Sequence, residues 1–459
     1  MRISIRRQIP TTLVLLAALW LTPFKGRGQS MSGGNYKITS SVQASGGGAG
    51  TGGGNKVIEG TAGQSAAGGP LTGGAVSHTS GFWPTTLGQS PQPSGQTAFQ
   101  FSATNYSVQE DLGAVAITVV RTGDSSSAAA VDYWTNDNVA KQKADFEFAA
   151  GTLRFAPGET AKVFQLLINE DIFSEGNETL TLSLGNPSGA LLGQLSTTTV
   201  TINDDSQESP VNPLDDAGAF VYTHYHDFLN REPDPAGLAF WTEQITSCGN
   251  DSQCIAIKRV NVSASFFLSI EFQETAYLLY LMHKESYATT PKYTPFMRDL
   301  QEVSRGLIVN SPGWQQTLTK NQQEFATQWA SRPQFKAAYD GLGNDAFVSA
   351  LYQNAGIVPT QAQKDQLVAA LNSGSMSRAS ALLEIAANPA FRQQEQSAAF
   401  VLIEYFGYLR RDPNAFPDSD LSGYNFWLTK LNQFGGNYID AEMIKAFITS
   451  FEYRGRFGQ

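Results

Sequence analysis

The chain has 459 residues, 16% of them charged and 41% hydrophobic, with a formal net charge of −10, two Cys and four His. Such a length suits two or three domains with substantial cores. The acidic balance and the lack of clustered Lys and Arg argue against nucleic-acid binding, and so few Cys and His exclude zinc-finger arrays and disulfide-dense mini-proteins.

Residues 1–28 read as a signal peptide. Arg2, Arg6 and Arg7 precede an apolar run from Leu13 to Leu21, and Gly26-Arg27-Gly28 supplies small residues for cleavage before Gln29. The run is about half the roughly 20 residues that a spanning helix needs, so the expected mature chain has no membrane span and is secreted or held in the cell envelope. An uncleaved N-terminal anchor is the alternative. Residues 29–95 form a Gly-rich, β-prone segment and linker, since 17 of the 60 residues from 31 to 90 are Gly and glycine at that density resists helix. Gly48-x-Gly50-x-x-Gly53 falls in this tract without the strand, helix and following acid of a nucleotide fingerprint, and reads as a chance match.

From 97 to 206 the pattern alternates with period two. Phe99 and Phe101, Val115 to Val120, Val131 to Trp134, Gly151 to Phe155, Val163 to Ile168, Leu180 to Leu184 and Thr198 to Ile202 are short apolar runs separated by Gly, Asn, Asp and Pro turns. They predict an all-β sandwich of about seven strands. Residues 97–205 hold 14 acids and 5 bases, a net of −9, nearly the whole charge of the chain. The acids fall at strand ends: Glu110-Asp111, Asp137, Asp145, Glu170-Asp171, Glu175, Glu178 and Asp204-Asp205. Like charges gathered at one end of a sandwich suit Ca²⁺, a hard cation that takes carboxylate oxygens from loops. Acids also favour turns and solvated loops, and the pattern alone leaves both readings open.

The stretches Tyr106-Ser107-Val108-Gln109-Glu110-Asp111-Leu112-Gly113, Val131-Asp132-Tyr133-Trp134-Thr135, Ala144-Asp145-Phe146, Gly151 to Thr160, Ile168-Asn169-Glu170-Asp171 and Thr201-Ile202-Asn203-Asp204-Asp205 together resemble the Calx-beta domain over its whole length. The resemblance implies an immunoglobulin-like sandwich with Ca²⁺ at one end, held by Glu110, Asp137, Glu170, Asp171, Glu175, Asp204 and Asp205. Departures from the family pattern at Asp137-Asn138-Val139-Ala140, at Glu170 and at Asp204-Asp205-Ser206 imply fewer or weaker sites than in a high-affinity sensor.

From 213 onward the period is helical, organised by an internal repeat. Phe220-Val221, Tyr225, Leu229, Arg231, Pro233, Gly237 and Phe240-Trp241 are matched by Phe400-Val401, Tyr405, Leu409, Arg411, Pro413, Gly423 and Phe426-Trp427. The spacing places the leading apolar residues on one helical stripe. Each copy closes on a Ser-x-Glu-aromatic turn, Ser269 to Phe272 and Ser450 to Tyr453. A weaker copy begins at Phe347-Val348 and includes Tyr352. The expected units span residues 213–290, a degenerate middle unit 291–395, and 396–457. The whole is thus read as multidomain, an immunoglobulin-like β-sandwich followed by an all-α helical-repeat bundle. Arg231-Glu232-Pro233-Asp234-Pro235-Ala236-Gly237-Leu238-Ala239-Phe240-Trp241 resembles the hallmark of domain-of-unknown-function family 4214, which occurs in exported and surface proteins and implies a fold but almost no chemistry.

Cys248 and Cys254 stand six apart, and in an oxidising compartment they are expected to close into a loop-stapling disulfide. His224 and His226, two apart on a helix, point to different faces and do not read as a zinc pair. Asp418 to Gly423 imitates the start of a calcium loop but lacks the closing Glu and reads as helix capping. Trp241, Trp314, Trp329 and Trp427 read as core. No catalytic motif is found. The expected function is that of an exported, non-catalytic, calcium-binding modular protein for cell-surface or extracellular adhesion and cell communication, its partner a surface polymer, a saccharide or a protein. The alternative is a secreted hydrolase acting on polysaccharide through acids of the helical region such as Glu271, Glu404 and Asp412.

Overall fold

The computed structural model describes residues 96–204 and 210–458, preceded by the backbone of six short strands between residues 31 and 78. The expected signal peptide and the linker at 90–95 lie outside the described residues. The chain divides into two compact units, Met1–Thr85 and Thr86–Gln459. In the first, β1 (Met31–Gly33), β2 (Tyr36–Ile38), β3 (Gly47–Gly52) and β4 (Lys56–Thr61) form an antiparallel sheet in sequential order, and β5 (Leu71–Gly73) pairs with β6 (Val76–His78).

The second unit opens with the sandwich. Its strands are β7 (Ala98–Phe101), β8 (Asn105–Gln109), β9 (Ala114–Thr122), β10 (Ala129–Asn136), β11 (Ala150–Phe155), β12 (Ala161–Leu167), β13 (Glu178–Ser188), β14 (Leu191–Leu192) and β15 (Thr197–Asn203). They form two sheets, ordered β11-β10-β13-β15-β8 and β12-β9-β7-β14. The β15–β8 and β14–β7 pairs are parallel and the others antiparallel. Alternation does the folding: Phe99 and Phe101, Ile117 and Val119, Leu180 and Leu182, Val200 and Ile202 all turn inward to one core, because successive side chains of a strand face opposite ways. Phe99 and Phe155 meet across that core at 5.0 Å.

The helical region comprises α1 (Ala217–His224), α2 (Pro235–Thr246), α3 (Ser252–Leu268), α4 (Ile270–Gln273), α5 (Ala276–Tyr287), α6 (Tyr293–Ser304), α7 (Trp314–Ser331), α8 (Pro333–Tyr339), α9 (Asn344–Ala355), α10 (Gln361–Ser373), α11 (Arg378–Ala386), α12 (Pro389–Gly407), α13 (Ser422–Gln433), α14 (Met443–Ile448) and α15 (Phe451–Arg454). One hydrophobic core runs through all of it, from Leu214 to Phe457. Helix α12 passes unbroken through residues 395 and 396, so the middle and last repeat units share a helix.

The repeat motif has a local physical logic. Asp234 caps α2, accepting from the Gly237 amide at 2.8 Å, and Pro235 opens the helix where its missing N–H costs nothing. A Cβ at Gly237 would strike the Tyr225 hydroxyl, and one at Gly423 the Tyr405 hydroxyl, so each copy needs glycine where its tyrosine crosses the helix. Arg231 lies over the Tyr225 ring and grips Glu271 through two bonds of 2.7 and 2.8 Å. Arg411 repeats this over Tyr405, binding Glu452 at 2.6 and 2.9 Å. The conserved spacing within the chain therefore encodes a structural clamp that ties the motif turn to the closing Ser-x-Glu turn.

The sandwich is docked on the helices. Helix α6 runs along the outer edge of β11, where Gln301 accepts from the Ala150 amide and donates to the Phe148 carbonyl, at 2.8 and 2.6 Å. Glu302 accepts from the Thr152 amide and pairs with Arg154 at 2.6 Å. Arg298 reaches Asp132 at 2.9 Å.

Candidate metal centre at the acidic loop end

Two connections of the sandwich carry the chemistry. The first, between β10 and β11, turns back through Lys141 and is pinned at the wholly buried Phe146, which bridges to Ile168 of the second connection, between β12 and β13. Asp145 accepts from the Lys141 amide at 2.5 Å, and its carbonyl accepts from the Asn169 amide at 3.0 Å. In the second connection Asp171 accepts from the Phe173 amide at 2.6 Å, a side-chain turn that fixes its carboxylate. Gly176, at φ +74, supplies the left-handed bend that carries the chain past Glu175 and lets its amide donate to Asp204 at 2.7 Å.

These turns bring Asp145, Asp171 and Glu175 together, each offering a carboxylate oxygen, all within 4.8 Å of one another. Asp145 and Asp171 are buried and Glu175 is exposed, so the group opens to solvent on one side. The electrostatic strain is visible in the acids themselves. Burial, with Glu175, Asp145 and Asp204 close by, pushes Asp171 up to about 7. Burial and a hydrogen bond with Asp145 push Glu178 up to about 8, and burial beside Asp145 and Asp204 raises Glu175. Carboxyls in this state either hold protons or share a cation. Oxygen ligands at about 2.3–2.6 Å from a calcium ion lie at most about 5 Å apart, which this group satisfies.

Among the expected ligands, Asp171 and Glu175 belong to the group, and Asp204 stands beside it through the Gly176 amide. Asp137 sits at the exposed start of the first connection and accepts from the Gln142 amide at 3.2 Å. Glu110 begins the short turn Glu110–Leu112, and Glu170 precedes Asp171 in the second connection. Asp205 lies outside the described residues. Asp145 and Glu178 were not among the expected ligands, although both are strand-end acids and Asp145 stands within the Ala144-Asp145-Phe146 stretch.

The family model of the Calx-beta domain matches residues 93–206. Residues 93–206 form a Calx-beta domain. A second family model, "Domain of unknown function (DUF4214)", matches residues 212–276, immediately after the Calx-beta domain. Sodium/calcium exchanger 1 of Mus musculus is 35% identical over 142 residues, covering 27% of this chain and 14% of the exchanger. Sodium/calcium exchanger 3 of Homo sapiens is 47% identical over 77 residues, covering 16% and 8%. The chain thus spans only a small part of these relatives. Among solved structures, the apo-form Calx CBD1 domain aligns at 34% identity over 24% of this chain and 99% of that one, with a TM-score of 0.24.

Elsewhere, Cys248 and Cys254 are joined, with their Cα atoms 5.6 Å apart, and bracket the turn between α2 and α3. His224 and His226 are both buried: His224 bonds the Phe220 carbonyl and His226 bonds Glu232. Burial lowers His224 to about 4, so it is neutral in the core. Asp418 pairs with Arg411, and Asp420 accepts from the Ser422 amide. The acids named for a hydrolytic role have three different surroundings. Glu271 is held by Arg231, Asp412 accepts from the Tyr293 amide, and Glu404 is wholly inside the core, where burial raises it far above the usual carboxylate range. No helix among the described residues is long and apolar enough to cross a membrane.

Proposed function

We propose that the protein is an exported, non-catalytic, calcium-binding modular protein whose Calx-beta domain takes Ca²⁺ at the acidic loop end and whose helical region meets a surface polymer, saccharide or protein partner. The observation that carries the calcium reading is the convergence of Asp145, Asp171 and Glu175 within 4.8 Å. Their all-oxygen donor set suits a hard cation, and similarity to exchangers named for calcium supports the same ion. Asp204 and Glu178 stand near enough to perturb these acids electrostatically and complete the anionic surroundings. The bound ion would supply the charge that otherwise has to come from protons, ordering the two connections. Export draws its support from the leader-like start of the sequence and from the closed Cys248–Cys254 pair.

The test is calorimetric titration of the full chain with CaCl₂ and, separately, MgCl₂, after chelation. Calcium-selective binding that disappears in an Asp145→Asn, Asp171→Asn double variant is the expected result. No binding heat and no calcium-dependent change in the melting midpoint would overturn the reading.

A further inference from the structure

The connection that presents Asp145 to the acidic group also carries Glu147, two residues on, into a buried cluster built with the helical region. Glu147 meets Arg410 at 2.7 Å and Arg456 at 3.0 Å. Both guanidinium groups also meet Asp227, at 3.0 and 2.9 Å, and the Tyr453 hydroxyl donates to Asp227 at 2.8 Å. The four charged side chains are each at most 2% exposed. Two acids balance two guanidinium groups, so the cluster is neutral as a whole and intolerant of losing one member.

The grip on the connection is not confined to Glu147. Arg456 donates from Nε to the Lys143 carbonyl at 3.0 Å, and Lys143 pairs with Glu452 at 3.3 Å. Lys143 holds φ +88, a conformation that a non-glycine residue keeps only where its surroundings impose it. Asn169 ties the same turn to the second connection by donating to the Ala144 carbonyl at 2.9 Å. On that second connection, Gly458 lies against Ile172, the neighbour of Asp171, and is itself held by Asn212 at 2.8 Å. Residues 453–458 thus restrain both connections that supply the carboxylates.

The repeat shows that this is a specialisation. Arg410 occupies the position that Asn230 holds in the first copy, and both have positive φ, +53 and +51. Asparagine is at home in that conformation. The second copy instead places there an arginine whose side chain crosses to the sandwich.

We propose that Arg410 and Arg456 are positioning residues for calcium at the acidic loop end, acting through residues 143–147. The inference rests on the calcium reading above. Restraint from the helical region holds Asp145 beside Asp171 before any ion arrives, so less ordering remains to be done on binding. By linkage, calcium tightens the docking of the helices by the same factor.

The experiment is a CaCl₂ titration of the full chain as wild type, Arg456→Gln, Arg456→Lys, Tyr453→Phe and Arg378→Gln. Arg378 serves as the control because it bonds the Tyr339 and Leu342 carbonyls within the helical region. Arg456→Gln is expected to weaken calcium binding about 5-fold or more, Arg456→Lys to recover part of that loss, and Arg378→Gln to match the wild type. Arg456→Gln within twofold of wild type would overturn the inference, as would an equal loss in Arg378→Gln, which would mean general loosening. If Arg456→Gln does not fold, Tyr453→Phe decides: weaker calcium binding supports the linkage and unchanged binding refutes it. A wild type that takes up no calcium would instead overturn the calcium reading itself.

Discussion

Replacing Asp171 by Asn is expected to have opposite effects on stability with and without calcium. In the folded, calcium-free chain the Asp171 carboxyl is pushed from 3.8 to about 7, chiefly by burial and then by Glu175, Asp145 and Asp204. A raised carboxyl costs nothing below its unfolded value, and the cost of ionising it grows from about pH 4 until it levels off above about pH 7. At about 1.36 kcal/mol per pH unit the full cost is about 4 kcal/mol, and solvent at the open side of the group reduces this to roughly 2 kcal/mol. Asparagine keeps an oxygen to accept from the Phe173 amide but carries no charge. In chelator, Asp171→Asn should therefore match the wild type near pH 4 and exceed it by about 2 kcal/mol at pH 8, a few degrees in midpoint. With millimolar calcium the order reverses, because a ligand to the ion is gone and the stabilisation that binding confers on the folded state goes with it. Scanning calorimetry of both chains from pH 4 to 8, with and without calcium, measures the difference. Parallel curves across that range in chelator would refute the electrostatic account of the site.

Asp227→Ala would leave two buried guanidinium groups facing Glu147 alone, and is expected to cost about 3–5 kcal/mol in urea unfolding. Glu404→Gln should gain steadily on the wild type as pH rises above 4.5, since burial raises the Glu404 carboxyl and its ionisation in the core erodes stability; a series of denaturation curves from pH 5 to 9 tests this. Reducing the Cys248–Cys254 bond, whose sequence separation is 6, should lower stability by about 2 kcal/mol while leaving calcium titrations unchanged.

Much of this architecture can be read in the residues. Alternation of Ile117 and Val119 about Thr118, and of Leu180, Leu182 and Leu184 with Thr181 and Ser183, specifies half-buried strands, and Pro233 with Asp234 marks where one helix stops and the next is capped. The acidic loop end was legible as a region, but its membership was less so. Asp145 and Asp171 come from different connections, aligned by the bridge between Phe146 and Ile168 together with contacts remote in sequence. The buried cluster was harder still, since Asp227 and Arg410 are 183 residues apart and charges in helical segments ordinarily belong to a solvated face. One trace of it exists in the text of the chain: where the first repeat has Asn230 the second has Arg410, a substitution that the repeat's own packing does not ask for.

The pairing of α6 with β11 has a practical consequence for anyone who cuts the chain between the sandwich and the helical region. Gln301 and Glu302 satisfy the Phe148 carbonyl and the Ala150 and Thr152 amides along the margin of the five-stranded sheet. A fragment ending near residue 206 would present those groups bare, as a template on which another strand can add. Self-association of the excised sandwich would then report the loss of its covering helix, and the helical region would have acted, within the intact chain, as a guard against polymerisation.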